Sequence, residues 1–364
     1  MLDRRQTAET SGRQWRHAGW PATLSLILVV SVGVVAALVS HAGRQSSAGF
    51  GQETSPTGTS RNDPVPLGQA AIAGPLRITV SDVSSGPAAV ERVLATTPNN
   101  PAPRQDHTFV LTYVTVGNEG ETPVFVSNDD FGLTGSSGIV HRFLIAEPPA
   151  PALFATIDPG ASAEGWLVFE APTAETEPLL VFDSPSFPGT WARQTLTLLA
   201  GASIPDAASP AAARSEVGLT AEAPAGLNTA IVSGTWQVEL IDVAVGADVF
   251  ALVDYRTGAL GIEDSNNDSP WLALRVRVTN IGTGGDPSFF PPNAFALADA
   301  TGAPLLDFVT LTPPVPDASG AYYPGASRDG WVAFELPNYD PFLIIFDPYD
   351  VTTENPDPRY LTYQ

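Results

Sequence analysis

Two stretches of the chain carry the same alternation of apolar and polar residues, in the same order. LRITVSDV (76–83) and WQVELIDV (236–243) switch class with a period of two, the pattern of a strand with one buried face. FVLTYVTVGNEG (109–120) and WLALRVRVTNIG (271–282) follow as longer strands, each ended by a glycine-containing turn. Phe131 and Leu133 in DDFGL then match Phe295 and Leu297 in NAFAL. PGASAEGWLVFEAP, from Pro159, and PGASRDGWVAFELP, from Pro324, agree at nine of fourteen positions at an offset of 165 residues. Last come PLLVFD (178–183) and PFLIIFD (341–347), apolar runs short enough for buried strands.

Five or more strands per repeat, with turns every ten to twenty residues, predict an all-β chain of two tandem antiparallel sandwiches of immunoglobulin type. The repeated Pro-Gly is read as a turn that sets strand register. Trp166 and Phe169 in the first copy, and Trp331 and Phe334 in the second, are expected in the cores. Long soluble helices are not expected, because proline (35) and glycine (32) are both abundant in the 364 residues.

One longer apolar run stands outside the repeats. Ala18 to Gly43 contains no Asp, Glu, Lys or Arg, and LSLILVVSVGVVAALV sits at its centre. About 20 such residues match a hydrocarbon layer of ~30 Å. Four arginines precede the run, so the positive-inside rule puts the N-terminus in the cytoplasm and the rest outside it. The competing reading is a cleaved signal peptide, for which Ser40-His41-Ala42 is an acceptable site. The expected organisation is a cytoplasmic N-terminus (1–18), a membrane-spanning anchor (19–43), a flexible linker (44–66), a first sandwich (67–199), an Ala/Pro-rich linker (200–230) and a second sandwich (231–364).

Charge narrows the partners. The first 44 residues carry five arginines against two acidic residues, a net of +3. The other 320 carry twelve arginines against 37 acidic residues, a net of −25, which repels nucleic acid and anionic lipid. With no cysteine there is no disulfide, thiolate site or lipidated cysteine. Every basic residue is arginine, which excludes lysine-dependent chemistry.

The strand ending VTVGNEG or VRVTNIG, the DDFGL or NAFAL segment, and PGAS..GW..FE.P followed by an apolar strand together resemble a known group. They are similar to the telokin-like, Ig-like domains of unknown function in bacterial extracytoplasmic proteins and lipoproteins, related in fold to mycobacterial immunoprotective secreted antigens. The resemblance spans residues 66–198 and 231–362 and implies a fold without implying a chemistry. The absence of a lipidation cysteine departs from the lipoproteins, and the apolar helix takes the place of that anchor.

Residues suited to catalysis or metal binding are few. Outside the N-terminal segment the histidines are His107 and His141, both in the first repeat and in no zinc-binding spacing. They are the residues a metal-handling protein or an enzyme would use. Ser162 and Ser327 lie in no nucleophile elbow. In EDSNNDSP (263–270), Asp264, Asn266 and Asp268 occupy the first three ligand positions of a calcium loop, but Ser269 stands where glycine belongs and Arg275 where the bidentate glutamate belongs. No cofactor is expected, calcium at a looser site being the exception the sequence admits.

The strand at 271–278 buries Leu272, Leu274, Val276 and Val278, and turns Ala273, Arg275 and Arg277 outward. Its counterpart buries Val110, Thr112, Val114 and Val116, so the outward face carries Phe109, Leu111 and Tyr113, an apolar stripe where solvent should be. Such a stripe marks an interface. The expected cover is the second repeat, the Ala-rich linker or another envelope protein. The sequence therefore predicts a non-enzymatic, membrane-anchored interaction or scaffold protein of the bacterial cell envelope, with a calcium-dependent adhesion or carbohydrate-binding module as the alternative.

Overall fold

The computed structural model describes residues 58–142, 146–184, 193–199, 204, 216–252, 271–291, 293–305, 309–335, 342–348 and 357–363. The expected membrane anchor and Asp264, Asn266 and Asp268 lie outside them. Among the described residues no helix is long and apolar enough to cross a membrane.

Thr54–Gln364 form one compact unit, mostly β. The first repeat runs β1 (Ala70–Ala73), β2 (Leu76–Ser85), α1 (Pro87–Thr96), β3 (His107–Asn118), β4 (Val124–Val126), β5 (Phe131–Thr134), β6 (Ile139–Val140), β7 (Ala155–Ile157), β8 (Ser162–Pro172), β9 (Leu179–Phe182) and β10 (Gln194–Thr197). The second runs β11 (Ala230–Ser233), β12 (Trp236–Val245), α2 (Ala247–Leu252), β13 (Trp271–Asn280), β14 (Ser288–Phe290), β15 (Phe295–Asp299), β16 (Val309–Leu311), β17 (Gly320–Tyr322), β18 (Ser327–Glu335), β19 (Phe342–Phe346) and β20 (Arg359–Leu361).

Each repeat packs a larger sheet on a smaller one. The larger has the order β1-β2-β3-β8 in the first copy and β11-β12-β13-β18-β16 in the second; the smaller is β10-β9-β5 or β15-β19-β20. Every ladder between these strands is antiparallel. Ile78, Val114, Phe169, Phe131 and Leu180 meet between the first pair of sheets, and Val238, Val276, Phe334, Phe295 and Ile344 between the second. The copies share even their irregularities, with a register shift at Ser81 in β2 and at Ile241 in β12.

The repeated Gly-Trp follows from a crossing of chains. Ala152 and Asp317 bridge to Trp166 and Trp331, so the segment before each β8-type strand runs across that strand. A Cβ on Gly165 would lie 2.4 Å from the Leu153 nitrogen, and one on Gly330 2.6 Å from the backbone of Ala318. Only glycine lets the two backbones approach so closely.

Phe169 and Phe334 lie in the sandwich cores, whereas Trp166 and Trp331 are buried on the opposite face of the same sheets. Alternation dictates this, since each tryptophan is an odd number of residues from its phenylalanine.

The apolar stripe on β3 is also corrected. Phe109 and Leu111 are fully buried, and Tyr113 partly so, beneath α1 of the same repeat, through Ala89, Val90 and Val93. Among the described residues the cover comes from the same repeat and not from the second one. Pro87 follows Gly86, whose φ is +67°, and starts the helix where a missing N–H costs nothing. Asn100 closes the other end by donating to the Val93 carbonyl at 2.7 Å. The Arg92 guanidinium lies 4.1 Å from the Trp166 ring centre and completes the lid. The second repeat repeats the device at smaller scale, with Val249 of α2 on Trp271, Ala273 and Trp331.

Candidate functional site: the junction of the repeats

β5 and β6 form a hairpin. Leu133 and His141 exchange backbone hydrogen bonds of 2.9 and 2.7 Å, and Gly135-Ser136-Ser137-Gly138 makes the turn. β6 belongs to the first repeat by sequence but extends the second repeat's sheet, which has the order β14-β17-β6. Val140 faces Ala321 and Ile139 faces Tyr322 in an antiparallel ladder, and the Tyr323 amide donates to the Gly138 carbonyl at 2.9 Å. Ile139 is 3% exposed and joins the core built around Trp236, Phe290 and Tyr322. Burying an isoleucine side chain contributes about 1.5–3 kcal/mol, so this contact couples the repeats strongly. Gly138, at φ +70°, holds the position where a Cβ would lie 2.9 Å from Arg61 and 3.1 Å from Ala326.

Charge surrounds this apolar contact. The buried Arg61 guanidinium sits 4.3 Å from the Tyr323 ring centre. Arg193 links the repeats, reaching Asp183 at 3.0 Å in the first and Asp286 at 2.5 Å in the second. Arg142 shares Asp183 at 2.9 Å. Burial works against the Arg193 charge, but Asp183 and Asp286 outweigh it and hold that guanidinium above its ordinary value. For Arg142 burial wins over Asp183, and Arg193 adds to the lowering.

The hairpin turn is clamped from behind by Glu175. Its carboxylate accepts from Ser137 N at 2.8 Å, Ser137 Oγ at 2.6 Å, Ser136 Oγ at 3.2 Å and His141 Nε2 at 3.3 Å. Burial alone raises this carboxyl, but the hydrogen bonds from His141 and Ser137 together overcome it and hold it below the usual glutamate value. His141 is thus a clamp partner. His107, at the start of β3, bonds the Gln105 carbonyl through Nδ1 at 2.9 Å, and burial pushes it down with help from Arg104. The two histidines share no ligand-like partner, and among the described residues no group of three His, Cys, Asp or Glu could hold a metal ion. The arrangement is one of adhesion between domains: backbone pairing, an aliphatic anchor, a cation over a ring and a shared ion-pair network.

Residues 65–193, the first repeat, match the family model described as domain of unknown function DUF4352. Similar solved structures include the yjhA protein from Bacillus subtilis, at 18% identity and TM-score 0.28, covering 37% of this chain and 99% of that one. A candidate lipoprotein (ycdA) from the same organism is 18% identical with TM-score 0.28, over 36% of this chain and 38% of its own. An uncharacterised β-sandwich protein from Clostridium difficile 630 is 11% identical with TM-score 0.24, over 37% and 95%. No curated protein matches.

Proposed function

We propose that the chain is a non-enzymatic, membrane-anchored spacer and interaction protein of the bacterial cell envelope, built from two Ig-like sandwiches locked into one unit. The observation that carries the reading is Ile139, a first-repeat residue buried in the second repeat's core. A linker alone would leave the domains free to reorient, whereas this contact fixes the second sandwich at a set position from the first. The apolar run at 18–43 supplies the anchor, and the strongly acidic remainder suits a surface that avoids anionic lipid.

The test uses the absence of cysteine. A single Leu94→Cys on exposed α1 is treated in intact cells with a membrane-impermeant maleimide. The reading expects labelling of a chain that remains in the membrane fraction. Labelling only after lysis, or a chain released to the medium, contradicts it.

A further inference from the structure

The junction shows how a small edge sheet of one repeat is capped, whereas among the described residues the same sheet in the other repeat carries no added strand. β4 and β7 are the counterparts of β14 and β17: Val124 faces Ile157 and Val126 faces Ala155, as Ser288 faces Tyr322 and Phe290 faces Gly320. In the second repeat the far edge of β17 carries β6. In the first repeat, among the described residues, no strand pairs with the far edge of β7. On this two-stranded sheet stand two exposed aromatic rings, Phe125 of β4 at 44% and Phe154, the residue before β7, at 72%, edge to face with centres 4.9 Å apart. An unpaired edge next to exposed apolar surface is a template for strand addition.

The charges at this edge name the kind of occupant. At the filled edge, Asp286 and Tyr323 receive arginines from the added hairpin's repeat, Arg193 on the first and Arg61 on the second. At the open edge, Asp158 takes the place of Tyr323, and Glu121 stands one residue before the counterpart of Asp286. Both carboxylates are exposed. The open edge therefore keeps the acidic side of the pairing and intensifies it. A second copy of this chain is a poor occupant. The counterpart of β5–β6 in the second repeat carries Ala303 and Pro304 where the docking hairpin carries Ile139 and Val140. Alanine lacks the aliphatic anchor and proline lacks the N–H that a ladder needs.

We infer that the β7 edge of the first repeat, flanked by Phe125, Phe154, Glu121 and Asp158, is a docking site for an extended strand of another protein that presents an aliphatic residue beside basic ones. The inference rests on the interaction reading above and gives it a surface.

The probe is a cyclised synthetic hairpin of the sequence Phe131–Arg142 with an arginine added at each end to stand for Arg61 and Arg193, which lie outside it, and the same hairpin carrying Ala-Pro for Ile139-Val140 is its control. The full chain carries a trifluoromethyl reporter on the Phe154 ring, read by fluorine NMR. The first hairpin is expected to shift the reporter saturably, and the control to bind about tenfold more weakly, for the loss of one ladder bond and one buried aliphatic side chain. Asp158→Arg combined with Glu121→Arg, both on the surface, is expected to weaken the first hairpin about tenfold. A flat titration, equal affinity of the two hairpins, or indifference to the charge reversals overturns the inference. So does self-association that shifts the reporter without hairpin, which assigns the edge to a second copy. None of these outcomes bears on the anchor or on the coupling of the repeats, so this inference and the proposed function fail separately.

Discussion

Ile139 and Tyr322 lie 183 positions apart in the chain and face each other across a two-residue ladder, with both side chains buried in the second repeat's core. That pair turns two similar sandwiches into one body. Ile139→Ser removes the aliphatic anchor and places a hydroxyl among apolar residues. A loss of about 3 kcal/mol or more is expected from the cavity and the buried polar group together, measured by chemical denaturation.

The ion pairs at the same junction contribute far less. Asp286 is 77% exposed, so its bond to Arg193 is screened by water. Asp286→Ala is expected to cost under about 1 kcal/mol, and the cost shrinks further at high salt. An effect equal to that of Ile139→Ser would show that charge, not burial, couples the repeats.

Glu175 makes the clamp sensitive to acid. Its folded pKa lies below its ordinary value of 4.5, so the stability it contributes is fully present above that pH and is lost as pH falls through the folded pKa. Glu175→Gln is expected to destabilise the protein at neutral pH and to flatten the stability profile below pH 4.5. An unchanged acid limb in the variant would dissociate the clamp from acid unfolding.

One polar side chain in the first core works against stability. Thr112 is fully buried, its hydroxyl has no hydrogen-bond partner among the described residues, and the second repeat has Leu274 at the matching place. Thr112→Val is expected to stabilise by about 1 kcal/mol, because the unmade bond disappears while the shape is kept. Destabilisation would mean that the hydroxyl has a partner, such as bound water.

The glycines of the repeated Gly-Trp are expected to tolerate no side chain. Gly165→Ala and Gly330→Ala each force a methyl against crossing backbone and are expected to cost about 1–3 kcal/mol or more. Gly226→Ala, with open space around its Cβ position, is the control that leaves the melting temperature nearly unchanged.

Much of this architecture was legible in the sequence, because period-two alternation reports directly on strands with one buried face. The inward residues of β3 and β13 follow from it residue by residue. The helices were missed although GPAAVERVLAT carries a signal: proline after glycine, helix-forming residues, and Ala89, Val90 and Val93 at helical spacing. Those residues cover the stripe for which the second repeat, the Ala-rich linker or another protein was the expected cover. The docking of β6 had no local signature, since two residues are too short for any periodicity and Ile139 satisfies its apolar character in another repeat. The Glu175 clamp was equally invisible, because it joins Ser136 and His141 to a residue more than thirty positions away.

The central claim is that Thr54–Gln364 behaves as one cooperative body, and calorimetry of the full chain tests it most directly. The account predicts a single transition with equal calorimetric and van't Hoff enthalpies, which Ile139→Ser splits into two. Two independent transitions in the unmodified protein would contradict it.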